Sequence, residues 1–269
     1  MTALASLVIA THGVAGGPGV AAEHARALAE ELPALSVAFG CVKGEPPIEE
    51  VVHRVPGPAV VVPLLMAEGF IFELLRERLS AVAHLRIAPP IGTRPELAAL
   101  VADAAAARAR REGWEARESL LLLVGHGTPR HPRSGATAEA LAQRLHGTCG
   151  FAAVEVAFLE QSPRLAERLP ALAHRRIVTV GLFVDAGPHG KDDVEEILAR
   201  APGPVVYTGP IGRLAAMRGL IRACAGIAPA FRRRDPAAGV RATAARPEPG
   251  LLPSSRRDPP AAARSRRFR

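Results

Sequence analysis

Two periods of hydrophobicity alternate along this chain. Short, nearly all-apolar runs at residues 4–10 and 120–124 have the length and aliphatic content of strands buried on both faces. Each gives way to a stretch in which apolar residues recur every three or four positions, predicting helices over 20–32 and 136–145. Further strands are predicted over 36–39 and 154–158, and over 60–65 and 177–183. Strands alternating with amphipathic helices predict parallel sheets, right-handed crossovers and helices on both sheet faces.

The pattern occurs twice. The first apolar run ends in Thr11-His12-Gly13 and the later one in Gly125-His126-Gly127. The second strand of each half leads to a glutamate and a proline, Gly44-Glu45-Pro46 against Glu160-Gln161-Ser162-Pro163. The third leads to Gly69 or Gly187, and the fourth to Pro90-Ile91-Gly92 or Pro210-Ile211-Gly212. From His12 these markers lie 33, 57 and 80 residues on, and from His126 they lie 34, 61 and 86. The expected architecture is therefore α/β: two similar doubly wound parallel-sheet domains, 1–112 and 117–228, joined by a short polar link and facing a common cleft.

Parallel sheets place ligand sites beyond the carboxyl ends of their strands, where these markers fall. In the second half His126, Glu160 and His189 follow three successive strands. Two neutral imidazoles and a carboxylate suit iron, cobalt, nickel or zinc, and the same groups can take up protons near neutral pH. Each residue alone has an ordinary structural reading; their recurrence at equivalent strand ends points to a site. Arg130 and Arg133, in the loop after His126, are candidates for binding an acidic substrate, or simply surface charge. His131 in that loop is a further candidate ligand. Lys191 opens the segment after His189, and Asp192 and Asp193 beside it are explained by the dipole of the helix they begin. His12 and Glu45 are the candidate vestiges of a matching first-half site.

Charge changes this picture less than its total suggests. The net charge is +8, but residues 232–269 carry 11 arginines against Asp235, Glu248 and Asp258, so the other residues balance to zero. This Pro-, Ala- and Arg-rich tail is expected to be disordered, and the folded part gives no reason to invoke nucleic acid. The chain has two lysines against 32 arginines, a compositional bias toward arginine. Three scattered cysteines without a CxxC pair argue against a disulfide scaffold, an iron–sulfur cluster or a zinc knuckle. The longest apolar stretch, 59–67, is interrupted by Pro63 and too short to span a bilayer, and no basic residue precedes the first apolar run. A cytoplasmic location is expected.

The strand-His-Gly opening, the Phe158-Leu159-Glu160 segment with its Ser-Pro, and the run Gly187-Pro188-His189-Gly190-Lys191-Asp192-Asp193 together resemble the class II chelatases of tetrapyrrole biosynthesis, the sirohydrochlorin cobalto- or ferrochelatases. The resemblance covers about residues 3–228 and excludes the tail. It implies ATP-independent insertion of Co2+ or Fe2+, as substrate metal, into sirohydrochlorin or a related acidic tetrapyrrole in cobalamin or siroheme biosynthesis. No tightly bound cofactor is implied. His126 and His189 would hold the metal, Glu160 would complete the site, and Arg130, Arg133 and Lys191 would anchor substrate carboxylates. A monomer or a homodimer fits equally. The first half departs from the pattern, with Gly69-Phe70-Ile71 where the second histidine belongs. This leaves open a non-catalytic protein that binds and delivers metal or tetrapyrrole. An acyl hydrolase finds no G-x-S-x-G nucleophile elbow.

Overall fold

Two four-stranded, all-parallel sheets form the framework of this computed structural model, which describes residues 4–13, 19–128, 133–173, 175–187 and 192–227. The first sheet has the order β2-β1-β3-β4, built from β1 (Ser6–Thr11), β2 (Ser36–Cys41), β3 (Ala59–Pro63) and β4 (Leu85–Ile87). The second repeats it as β6-β5-β7-β8, from β5 (Ser119–Gly125), β6 (Ala153–Phe158), β7 (Arg176–Gly181) and β8 (Val205–Pro210). In both, the central strand is the first of its half, so its exit loop lies at the topological switch point, where such sheets bind ligands.

The continuous apolar runs are explained by burial on both faces. Along β1, Leu7 and Ile9 point to one side and Val8 and Ala10 to the other, and all four are inaccessible to solvent. Helices α2 (Ile48–Arg54) and α3 (Phe70–Arg78) cover the outer face of the first sheet, and α6 (Leu165–Arg168) and α7 (Asp192–Leu198) that of the second. The inner faces of both sheets share one core with α1 (Gly19–Glu31), α4 (Leu97–Arg111), α5 (Arg133–Leu145) and α8 (Met217–Ala225). The two halves are one compact unit, Met1–Pro229.

Within this shared layer two helices cross over. Helices α1 and α5 stay on the sheets of their own halves, whereas α4 packs on β7 and β8, and α8 packs on β3. Each exchange is tied by an arginine. Arg108 of α4 donates Nε–H to the Tyr207 carbonyl of β8 at 3.1 Å, and Arg86 of β4 donates to the Ala225 carbonyl of α8 at 2.9 Å. Buried His24 on α1 adds a link, its Nε2 donating to the Gly212 carbonyl across the halves at 2.7 Å.

The helices and strands match their expected positions closely. The run 177–183 is the main exception: β7 ends at Gly181, after which Leu182 and Phe183 leave the ladder yet stay buried. Apolar periodicity reports burial and cannot mark where a strand stops pairing. Arg130, His131, His189 and Lys191, the Arg133 side chain and the 232–269 tail lie outside the described residues.

Because α4 and α8 each complete the core of the other half, the halves should unfold together. Ile221→Ala, in the fully buried face of α8, should cost about 2–5 kcal/mol. Urea denaturation followed by Trp114 fluorescence and by far-UV circular dichroism should show one coincident transition, shifted equally in both signals. Two separated transitions would contradict the shared core.

Candidate active site

The exit loops of β1, β3, β5 and β7 meet around a cavity of about 660 Å3. Both halves line it. Thr11, His12 and Gly13 face the cavity from the first half, and Gly125, His126 and Gly127 from the second. Apolar side chains make the walls, among them Leu64, Met66 and Phe70 from the first half and Leu141, Phe158 and Leu182 from the second. The cavity is mostly apolar and carries an imidazole-bearing turn from each half, the composition of a site for an apolar ligand with localised polar chemistry.

The two His-Gly turns are built alike. Each glycine has positive φ, 104° at Gly13 and 67° at Gly127. A side chain would also collide there: a Cβ on Gly13 would lie 1.9 Å from the Lys43 carbonyl oxygen, and one on Gly127 within 2.8 Å of Gln161 and Phe158 side-chain atoms. The glycines therefore let the exit loop of the neighbouring strand close directly onto the histidine turn.

Backbone hydrogen bonds set the correspondence between the halves. Lys43 N–H donates to the His12 carbonyl at 2.7 Å, and Glu160 N–H donates to the His126 carbonyl at 3.0 Å. The loops then close identically, Cys41 N–H to the Pro46 carbonyl and Phe158 N–H to the Pro163 carbonyl. Lys43 thus occupies the place of Glu160. Glu45, the expected counterpart, lies two residues beyond and matches Ser162. At the third strand, Leu64 N–H donates to the Ala10 carbonyl as Leu182 N–H does to that of Val124. Counting onward matches Gly69 with Gly187, Ala67 with Asp185, and Ile71 with the position of His189.

The structure places His126 on the cavity; the Glu160 backbone is bonded to His126, and Glu160 itself is solvent-exposed and is not one of the cavity-lining residues. His189, the third expected member, is outside the described residues. Among the described residues no three His, Cys, Asp or Glu side chains are close enough to hold a metal ion. In the first half, burial and the neighbouring Lys43 ammonium both push the His12 imidazole below the usual histidine pKa.

Two further residues shape the site without having stood out in the sequence. Gln161 Oε1 accepts a hydrogen bond from Thr128 N–H at 3.3 Å, bracing the loop after His126. Asp185 lines the cavity and accepts the Val20 N–H of α1 at 2.7 Å and the Arg213 guanidinium at 2.9 Å. Burial alone would raise the Asp185 pKa; the Val20 and Ala186 amides and Arg213 outweigh it and hold the carboxyl below its ordinary value. Neither residue has a repeat partner, since Gly44 and Ala67 stand at the matching positions.

Two parallel α/β halves with paired histidine turns at a shared slot define a chelatase-like protein. The CbiX family model matches residues 6–108 and, a second time, 120–225, and the chain belongs to this family. A probable sirohydrochlorin cobaltochelatase from Halobacterium salinarum is 24% identical over 221 residues, covering 71% of this chain and 75% of that protein. The solved structure of CbiX, the terminal enzyme of siroheme biosynthesis in denitrifying bacteria, aligns with a TM-score of 0.69 at 26% identity, covering 84% of this chain and all 100% of that one. DR2241 from Deinococcus radiodurans, a multi-domain protein with structural similarity to chelatases, aligns with a TM-score of 0.67 at 27% identity, over 83% of this chain and 55% of that one.

Gly127→Ala should lower stability by about 1–3 kcal/mol, since it combines a left-handed backbone with a clash. Gly69→Ala, at φ −107° with nothing within 4 Å, should leave the melting temperature unchanged. Asp185 makes a pH-dependent contribution. Its folded pKa is depressed, so its stabilisation is complete above the unfolded value of about 3.9 and is lost as pH falls through the folded one. Asp185→Asn should therefore reduce stability at pH 7 and flatten its decline in acid, as measured by urea midpoints across pH 2–7.

Proposed function

We propose that this chain inserts a divalent transition metal, Co2+ or Fe2+, into sirohydrochlorin or a closely related acidic tetrapyrrole, without ATP. The observation that carries this reading is the apolar slot between two histidine turns, in a chain matched twice by the CbiX family. A planar macrocycle can enter such a slot edge-first and keep its carboxylates in water.

In this reading the second half holds the chemistry. The metal is a substrate, carried by His126 and His189 through neutral imidazole nitrogens, whose softness matches cobalt and ferrous iron. Metal entry forms bonds from the macrocycle nitrogens to the metal and breaks two pyrrole N–H bonds, so two protons leave. Glu160, attached through its backbone to His126, accepts protons beside the metal path. Arg130, Arg133 and Lys191 neutralise substrate carboxylates. Both walls come from one chain, so a monomer can supply a complete slot. Among the described residues no helix is long and apolar enough to cross a membrane.

Anaerobic absorbance of sirohydrochlorin with Co2+ or Fe2+ tests the proposal. Catalytic amounts of protein should accelerate metallation over many turnovers, and the His126→Ala/His189→Ala variant should not. Glu160→Gln should slow insertion by about 10²–10⁴-fold while Co2+ still binds. Stoichiometric binding of metal or macrocycle with no turnover would instead identify a delivery protein.

A further inference from the structure

At its matched positions the first half does not look merely eroded. At the matching positions a base stands where the second half has an acid, and an exposed aromatic ring opens α3. Lys43 stands where the second half has Glu160. Phe70 and Ile71 stand where the count along the chain reaches Pro188 and His189. Phe70 lines the slot and is 56% exposed, the one large hydrophobic side chain so exposed among the described residues. Packing does not require it, since Leu75 and Leu79, the latter just past the end of α3, supply the apolar anchor of that segment. Lys43 Nζ lies 5.0 Å from the centroid of the Phe70 ring, so the ammonium is held above an aromatic face at the slot.

The lysines carry a second, independent signal. In a chain with two lysines and 32 arginines, one is Lys43 and the other is Lys191, immediately before α7 and two residues after His189. In sequence, Lys43 follows β2 and Lys191 falls between β7 and α7, one in each half.

We propose that the first half is the macrocycle-docking wall of the slot: Phe70 stacks on the face of the tetrapyrrole and Lys43 pairs with one of its peripheral carboxylates. This rests on the chelatase reading above and adds a division of labour to it. A positive charge beside His12 opposes binding of a dication there, whereas Glu160 beside His126 favours it. The slot is thereby polarised, with a wall that attracts the anionic macrocycle and a facing wall that attracts the metal. The metal then enters the bound ring from the second-half side. Lys43 and Phe70 are positioning residues in this scheme, since neither handles the metal.

The test is binding of metal-free sirohydrochlorin to the full-length protein, followed by fluorescence, alongside steady-state insertion and Co2+ binding measured without macrocycle. Lys43→Ala should weaken macrocycle binding about three- to tenfold and reduce its salt dependence, with Lys43→Arg restoring both. Phe70→Ala should weaken binding about tenfold. In both variants the loss should appear in KM rather than kcat, and Co2+ affinity should match wild type. Unchanged macrocycle affinity in both, with wild type binding normally, would overturn the docking wall and leave the chelatase reading standing. Loss of Co2+ affinity in Lys43→Ala would overturn it too, by placing the metal in the first half. A wild-type protein that binds no tetrapyrrole would overturn the chelatase reading and this assignment with it.

Discussion

The burial of one helical layer between two sheets governs this molecule. Each sheet leaves an apolar inner face, and neither half has enough helix of its own to cover it once α4 and α8 have crossed over. The core therefore closes only when both sheets are present. That requirement brings the carboxyl ends of β1, β3, β5 and β7 to one cavity. Site geometry here follows from core geometry.

On that near-symmetric frame the chemistry is asymmetric. The backbone of the two halves repeats down to individual hydrogen bonds, with His12 and His126 carbonyls each receiving the amide of the next strand's exit loop. The side chains on those loops diverge. Glu160 faces Lys43 in the correspondence, and Asp185, which fastens the start of α1, faces Ala67. The two halves share one frame and differ at a handful of loop positions, Lys43 against Glu160 and Ala67 against Asp185 among them. In the docking scheme proposed above, a symmetric cavity would offer a macrocycle two equivalent orientations, and the difference between Lys43 and Glu160 would remove that degeneracy.

Much of the architecture was legible because parallel strands buried on both faces write themselves as unbroken apolar runs, each stopping at a recognisable His-Gly or glycine. The helix exchange was not. An amphipathic pattern says that a helix has a buried face and is silent on which sheet receives it, so bounds of 1–112 and 117–228 carry no sign that α4 and α8 exchange sheets. Among the site residues, His12 and His126 were legible as strand terminators. Glu45 was mistaken for the counterpart of Glu160 because counting along the chain assumes equal loop lengths, whereas the ladder hydrogen bonds identify Lys43. Phe70 read only as a missing histidine, and its exposure beside Lys43 is a tertiary fact. Gln161 and Asp185 left no trace because repeat comparison finds only what both copies retain.

The crossing of α4 and α8 also has a mechanical meaning. The two helices strap the sheets together in opposite senses, so prising the halves apart would peel one helix from each sheet at the same time. Separating the halves would therefore uncover core surface on both sheets, which ties access to the cavity to the stability of the shared core.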